Sequence, residues 1–280
     1  QYSTIETPPS AAWLSTARSR NEIPLLSLDP SDLPDPVHTI LSGGADRELA
    51  AWGKAIVSFG SPVMIAPLTD MDVTGNTYGL GDHVAPDGHT YTNSAADIVA
   101  AFREIHDRIV AQVGQLHVLW VFNPRGTDTA GVAWESFYPG DQYVDWLALD
   151  AFNVAGTSTP PRPWESMSVL LNGSDPSASG PYARMTKLSP SKPMMLAAFG
   201  SVEAGGDKAA WFHEAAGDLA NRQMFPAIRA VVSFDGTIGA SDMHLSTSPA
   251  ALAAARSAFG VTSPFCMNKA QVLKLTDTGE

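Results

Sequence analysis

The chain has 280 residues, of which 44% are hydrophobic and 16% are charged. This composition excludes a disordered chain, and the length suits one α/β barrel domain spanning residues 1–280. The formal net charge of -12 disfavours nucleic acid or an anionic membrane as a partner and suits a neutral ligand. No run of 18 apolar residues is present, so we expect no insertion into a membrane.

Short apolar runs alternate with helical stretches along the chain. The predicted strands are, in chain order, Tyr2–Ile5, Pro24–Leu28, Pro62–Leu68, His117–Phe122, Val144–Leu149, Pro193–Phe199 and Ala230–Phe234. The predicted helices are Ala11–Ser19, Asp46–Ser58, Ser94–Gln112 and Lys208–Asn221. The strands are apolar throughout, as expected when both faces of a parallel sheet are buried. The alternation predicts parallel β/α units.

Two long polar segments interrupt this alternation, Gly79–Asn93 and Asn153–Leu188. Both follow a predicted strand, and loops at the carboxyl ends of such strands build the clefts of β/α barrels. Each segment therefore either lines a cleft or is a plain surface loop. His83 and His89 in the first segment could ligate a metal, but their spacing fits no helix-borne pair, and we expect a solvated loop with no metal or cofactor.

The ends of the chain carry few signals. The first residue is Gln1 rather than Met and no signal-like segment follows, so we expect a processed or trimmed product. The single Cys266 cannot form an internal disulfide, and a packed or incidental thiol is expected there.

Several segments resemble glycoside hydrolase family 26, the β-mannanase family. Phe137–Trp146 is similar to the Tyr-Tyr-Pro-Gly-Asp-x-Tyr-Val-Asp-Trp segment before the family's sixth strand, and Trp120–Pro124 is similar to its fifth strand. Pro193–Gly200 resembles its seventh strand. The resemblance spans nearly the whole chain in the right order. It implies a single (β/α)8 TIM-type barrel, a β-linked polysaccharide such as a mannan or glucan as partner, and secretion.

The same resemblance locates the catalytic positions. Asp70 stands where the family has its general-acid Glu, and Asp72 stands where the family has an Asn. Ala198 stands at the position of the nucleophilic Glu, and a methyl group cannot act as a nucleophile. Asp is one methylene shorter than Glu, and a misplacement of roughly 1 Å can cost on the order of 100-fold in rate. The second charge of Asp72 is expected to raise the pKa of one carboxyl, as a general acid requires.

These acids leave two interpretations open. Asp70 and Asp72 form an acid pair, or they are ordinary turn acids at a strand end. With Ala198 the retaining route, which needs two carboxyls about 5–5.5 Å apart, is closed. Asp150 and Asp235 follow two other predicted strands, and either could serve as the base of an inverting reaction or simply hold a loop.

Aromatic and amide side chains near strand ends are candidate sugar-binding residues, because pyranose rings present apolar faces to aromatic rings. The candidates are Tyr78, Trp120, Phe122, Asn123, Trp134, Phe152 and Phe234. For Trp120 and Phe234, core packing is an equally good interpretation.

The resemblance places Tyr2–Ile5 at the family's second strand, so the first strand is absent from the predicted set. Either an upstream segment has been removed, or Gln271–Thr276 returns to fill the gap and avoid unpaired strand edges. Three functions remain open: a hydrolase with a rearranged acid set, an inactive barrel that binds polysaccharide, and a scaffold in a surface or export assembly.

Overall fold

The computed structural model describes residues 1–114, 118–175, 177–221, 223–260 and 269–276. These residues fall into two units. The first takes residues 1–147 together with 268–276, and the second takes residues 148–267.

Strands and helices alternate in the first unit. In chain order it contains β1 (Tyr2–Thr4), α1 (Ala11–Ser19), β2 (Leu25–Asp29), α2 (Pro36–Leu41), α3 (Asp46–Phe59), β3 (Val63–Pro67), β4 (Gly81–Val84), β5 (Thr90–Asn93), α4 (Ala95–Val113) and β6 (Val118–Phe122). Two 3-10 turns, Trp134–Phe137 and Asp141–Tyr143, precede β7 (Trp146–Asn153), which begins in the first unit and continues into the second.

The second unit continues the alternation. It contains α5 (Met167–Asn172), α6 (Pro181–Leu188), β8 (Met194–Ser201), α7 (Lys208–Ala220), β9 (Ile228–Ser233), β10 (Thr237–Ile238), β11 (Ser241–Asp242) and α8 (Pro249–Phe259). Helix α9 (Lys269–Thr276) follows in the chain and belongs to the first unit.

The main sheet has the strand order β1-β2-β3-β6-β7-β8-β9. The pairings β1–β2, β2–β3, β3–β6, β6–β7 and β8–β9 are parallel. Strands β4 and β5 form a separate antiparallel hairpin, as do β10 and β11. This is the strand order of β/α units joined by helical crossovers, and it confirms the predicted α/β class.

Helix α4 shows how the sequence builds the first unit. Ser94 caps its N-terminus, and the side chain of Asp97 reaches back to the Ser94 amide to complete a capping box. One side of the helix is a buried stripe formed by Ile98, Phe102, Ile105 and Ile109. These residues recur every three or four positions, so a single helical face enters the core.

An aromatic cluster forms part of the core of the second unit. The ring of Phe199 in β8 lies 4.8 Å from that of Phe259 in α8 and 6.3 Å from that of Trp211 in α7. Trp211 is buried, with 1% of its surface exposed. The Phe199–Phe259 contact is edge-on and the Phe199–Trp211 contact is stacked. Aromatic pairs in either arrangement contribute about 0.5–1.5 kcal/mol each beyond the apolar area they bury.

The C-terminal segment departs from the prediction. Gln271–Thr276, proposed as a closing strand, lies within helix α9, so that alternative is wrong. The polar segments also hold unpredicted structure, because β4 and β5 form within Gly79–Asn93, and α5 and α6 form within Asn153–Leu188. Cys266 and His117 lie outside the described residues.

Candidate functional site

The chain reverses sharply after β3. Leu68 and Asp70 both have left-handed backbone conformations, with φ of 53° and 57°. The Leu68 amide donates to the Leu28 carbonyl at 3.1 Å, and the Asp70 amide donates to the Asn123 carbonyl at 3.1 Å. Asn123 itself is 4% exposed. These bonds fix Asp70 beside the carboxyl ends of β2 and β6, the edge of the sheet where β/α proteins build their sites.

Asp72 is a loop anchor. Its Oδ1 accepts a hydrogen bond from the Arg125 amide at 2.8 Å, and its Oδ2 accepts from the Gly126 and Thr127 amides at 2.9 and 3.0 Å. The residue is 1% exposed. Both carboxylate oxygens are therefore occupied by backbone donors of the loop that follows β6, which favours the interpretation of Asp72 as a turn acid.

Asp70 differs from Asp72 in its environment. Its carbonyl accepts from the Val73 amide at 3.0 Å and from Asn76 Nδ2 at 2.9 Å, but its side-chain Oδ1 is buried with no hydrogen-bond partner. Burial raises the pKa of the Asp70 carboxyl; the Arg125 guanidinium opposes this effect and the Asp72 carboxylate adds to it. Asp70 therefore holds a proton more readily than an exposed Asp.

Tyr78 forms a hydrogen bond to the same turn. Its hydroxyl donates to the Thr69 carbonyl at 2.8 Å, and Thr69 Oγ1 shares a hydrogen bond of 2.9 Å with Ser27 Oγ. Burial raises the pKa of Tyr78, and the carboxylates of Asp29 and Asp70 add to the shift. The phenol is therefore a neutral donor at ordinary pH, and it supports the turn that carries Asp70.

The other aromatic candidates of the first unit are packed inside it. Trp120 is 3% exposed, and Phe122 and Trp134 are 0% exposed. The Trp120 ring lies 4.8 Å from that of His106, and Phe122 meets the Tyr138 ring edge-on at 5.2 Å. Such burial is typical of core packing, whereas stacking on a sugar requires an accessible ring face.

In the second unit, Asp150 and Phe152 share one face of β7. The strand continues to Asn153, so Asp150 lies inside the strand and not after its end, and both side chains are half-buried. Ala198 is 4% exposed within β8. The pairing of β8 with β9 shifts register between Leu196 and Phe199, so Ala198 lies in an irregular part of the strand, a feature common next to functional sites.

The residues after β9 combine a loop contact with an aromatic surface. Asp235 is exposed, and its Oδ1 accepts from the Leu245 amide at 2.8 Å. The half-buried Phe234 ring meets that of Phe152 edge-on at 5.5 Å. The second unit thus has a partly accessible aromatic pair, while one oxygen of Asp235 serves its own loop.

Two residues that the sequence did not single out belong to this region. Asn153 is 0% exposed; its Nδ2 donates to Ser201 Oγ at 2.9 Å and its Oδ1 accepts from the Glu165 amide at 3.1 Å. The half-buried Trp164 lies flat against Gly206, where an added Cβ would be 2.5 Å from Trp164 Cδ2. The adjacent glycines 205 and 206 were the one sequence signal for such a close approach.

The predicted site residues divide between the two units. Tyr78, Trp120, Phe122, Asn123, Trp134, Asp70 and Asp72 belong to the first, and Asp150, Phe152, Ala198, Phe234 and Asp235 belong to the second.

Within the described ranges, no group of three or more His, Cys, Asp or Glu side chains is placed to hold a metal ion. His83 instead contacts the Gly79 carbonyl at 2.9 Å, and His89 contacts Asp87 at 2.6 Å. Among the helices that the structure describes, none combines the length and apolarity needed to span a membrane.

Comparisons with known proteins agree with the family resemblance seen in the sequence. The model of Glycosyl hydrolase family 26 matches residues 45–227. Endoglucanase H of Acetivibrio thermocellus is 29% identical over 225 residues, which are 80% of this chain and 23% of that protein. The chain thus spans about a quarter of the length of this curated relative.

Solved structures agree in fold. A family-26 β-mannanase from Bacteroides ovatus superposes with a TM-score of 0.60 at 17% identity, covering 96% of this chain and 76% of that one. An endo-β-1,4-mannanase double mutant from Cellulomonas fimi superposes with a TM-score of 0.64 at 15% identity, covering 95% and 60%. These likenesses confirm the predicted barrel-type α/β fold.

Proposed function

The chain belongs to glycosyl hydrolase family 26, and from this premise we propose that it binds a β-linked polysaccharide of the mannan or glucan class without hydrolysing it by the retaining route. The proposal rests on the methyl side chain of Ala198, the residue that the sequence resemblance aligns with the family's nucleophile. Retaining hydrolysis requires a second carboxyl about 5–5.5 Å from the acid, and alanine cannot supply one.

The hydrogen bonds that Asp72 accepts support the same proposal. Three backbone amides occupy its two oxygens, so the carboxylate is committed to the loop after β6. Moving it toward a substrate would leave buried amides unpaired, at about 1–3 kcal/mol each. Of the two neighbouring acids, Asp70 is the one whose side chain has unused hydrogen-bonding capacity.

The substrate class is proposed from chemistry and from relatives. Related proteins are named mannanases and an endoglucanase, so β-linked mannans and glucans are the first ligands to test. The chain's net charge of -12 favours a neutral polymer over an acidic one. The half-buried Phe152 and Phe234 rings and the Trp164 indole supply apolar surface for the C–H faces of sugar rings. We also propose that the protein acts outside the cytoplasm, where such polymers occur.

Hydrolysis with Asp70 as general acid is a second candidate, and one observation favours it. Burial raises the pKa of Asp70, and its Oδ1 has no hydrogen-bond partner in the part of the protein that the structure describes, two properties that a general acid requires. The bases that the sequence suggests for an inverting reaction are Asp150 and Asp235. Asp235 would act with the oxygen that does not accept from the Leu245 amide.

Affinity electrophoresis combined with a reducing-sugar assay tests both candidates. We expect gels containing mannan or mixed-linkage glucan to retard the chain, and we expect no release of reducing ends. Phe152→Ala and Phe234→Ala should lose retardation, whereas Glu22→Gln, an exposed charge change, should migrate like the parent.

Each alternative result has a clear meaning. Reducing ends that disappear in Asp70→Ala would favour inverting hydrolysis and contradict a binding protein. Turnover that survives Asp70→Ala would remove Asp70 as the acid. Unretarded migration in mannan, glucan and xylan gels alike would contradict polysaccharide binding and leave a scaffold role.

A further inference from the structure

Lys208 is buried at a place where a cation is costly. It is the first residue of α7 and is 0% exposed. The N-terminus of a helix carries a partial positive charge that disfavours a cation, and burial lowers the pKa of the Lys208 ammonium. The carboxylates of Glu203, Asp242 and Asp235 act in the opposite direction. A lysine held here needs specific partners.

Those partners lie on the chain segment that follows β9. Lys208 Nζ donates to the His244 carbonyl at 2.7 Å and to Thr247 Oγ1 at 3.0 Å. The Thr247 hydroxyl in turn donates to Glu203 Oε1 at 2.8 Å. One ammonium therefore joins the start of α7, the turn after β8 and the segment around residues 244–247.

This segment, residues 234–247, is termed the β9 loop. Its own hydrogen bonds include the Leu245 amide to Asp235 Oδ1 at 2.8 Å and the Met243 amide to the Gly236 carbonyl at 2.9 Å. These bonds are internal to the loop, so they set its shape. The bonds from Lys208 are among the polar contacts that fix the loop to the rest of the second unit.

The β9 loop carries apolar groups of the proposed sugar surface. It begins with Phe234, whose ring meets Phe152 edge-on at 5.5 Å. Its Met243 is 0% exposed and packs in one cluster with Ala155 and Val202. Phe152 and Phe234 both pack against this cluster, so a shift of Met243 would alter the support of both rings.

We propose that Lys208 is a positioning residue for glycan binding. Its ammonium fixes the β9 loop so that the Phe152–Phe234 pair presents one surface to a pyranose ring. This inference rests on the proposed polysaccharide-binding function and adds to it a residue that touches no ligand. These two hydrogen bonds give the lysine a role at a buried helix N-terminus. An apolar side chain would pack there but would donate to neither the His244 carbonyl nor the Thr247 hydroxyl.

The test separates loop position from global stability. Lys208→Met keeps an unbranched side chain one atom shorter and removes the ammonium, and replacing a buried ion by an apolar residue is often neutral or stabilising overall. We expect its Tm to stay at or above that of the parent. We expect hydrogen exchange of the Leu245 and Met243 amides to speed up by about tenfold or more, as for loss of a hydrogen bond to a charged group. Retardation in mannan and glucan gels should be lost.

Two further variants complete the experiment. Thr247→Val removes one hydroxyl and keeps the side-chain shape, so it should show the same changes to a smaller degree even if Lys208→Met folds poorly. Lys187→Met removes an exposed lysine of the same unit and should match the parent in exchange and migration.

The proposal is overturned if both amides stay protected in Lys208→Met and Thr247→Val, or if they lose protection while retardation is unchanged. A fall in Tm that parallels the loss of retardation also overturns it, because the role is then merely structural. If the parent chain itself is not retarded, polysaccharide binding fails and the role of Lys208 in it fails too, while the exchange data still decide whether Lys208 fixes the loop.

Discussion

Replacing Asp72 by Asn tests whether this acid anchors a loop or serves chemistry. The substitution keeps the shape of the side chain and installs the residue that the family pattern has at this position. At present Oδ1 accepts from the Arg125 amide, and Oδ2 accepts from the Gly126 and Thr127 amides. An Asn amide has a single acceptor oxygen, so one of these two positions must receive an NH2 group that can only donate.

The cost follows from the contacts that are lost. The better orientation places the amide oxygen at the Oδ2 position, which keeps two bonds and sets an NH2 group against the Arg125 amide. One hydrogen bond to a charged acceptor is then lost, at about 1.5–3 kcal/mol, and the remaining two lose charge assistance. We expect Asp72→Asn to lower the free energy of unfolding by about 2–4 kcal/mol, a large part of the roughly 5–15 kcal/mol that stabilises a typical domain.

Urea denaturation followed by circular dichroism measures this loss directly. Glu22→Gln, which removes an exposed carboxylate from the first unit, is the matched control and should change the free energy of unfolding by less than about 0.5 kcal/mol. If Asp72→Asn unfolds at the same urea concentration as this control, the three amides do not depend on the carboxylate. Asp72 would then be available for an acid pair with Asp70.

Four other substitutions test the environments described above. Asp70→Asn should raise the free energy of unfolding at pH 7 by about 1 kcal/mol, because burial raises the pKa of Asp70 above its ordinary 3.8 and an ionised carboxyl there is unfavourable. Since that penalty exists only above the unfolded-state pKa, parent and variant should unfold alike at pH 3. Gly206→Ala puts a Cβ 2.5 Å from Trp164 Cδ2 and should cost about 1–3 kcal/mol with a change in tryptophan fluorescence. Gly217→Ala in α7 meets nothing within 4 Å and should instead gain about 0.5–1 kcal/mol. Asn153→Ala breaks two buried hydrogen bonds and should lower the urea midpoint by an amount worth about 2–3 kcal/mol.

The central strands of the sheet could be predicted because they are buried on both faces. All five residues of β3, Val63–Pro67, are buried, so an uninterrupted apolar run marks the strand directly. Helix α4 was equally clear from its buried stripe. Helices α5 and α6 were missed because each is short and lies among Gly, Pro and Ser, where local preference favours a loop.

The site could be predicted only in part, because its chemistry depends on contacts between distant residues. Asp70 and Asp72 look equivalent in sequence, two residues apart at one strand end. The structure gives Asp72 three amide donors from residues 125–127 and leaves Asp70 Oδ1 without a partner. No local pattern encodes a contact across more than fifty positions. The aromatic candidates show the same limit, since Trp134 is fully buried while Phe234 is half-buried.

The proposed loss of the nucleophile is one of several differences from the family pattern that the sequence resemblance implies, at residues 69, 70, 72 and 198. Asp72 and the loop after β6 fit each other, because an Asn at this position would satisfy fewer of the loop's amides. The proposal that the chain does not carry out retaining hydrolysis therefore couples the residue at 198 to those at 70 and 72.

This coupling makes a last prediction. Ala198→Glu alone should release no reducing ends from mannan or mixed-linkage glucan. Asp70, which the resemblance aligns with the family's acid, is one methylene shorter than Glu, and Asp72 still holds the loop after β6. Ala198 is 4% exposed, so the added volume is expected to cost about 1–3 kcal/mol, and the assay must be run on a variant shown by circular dichroism and thermal melting to be folded. The double variant Ala198→Glu with Asp70→Glu is the informative partner, since it supplies both carboxyls at family length. Turnover by the single variant would mean that Asp70 is an adequate general acid and that the chain is one substitution away from an enzyme.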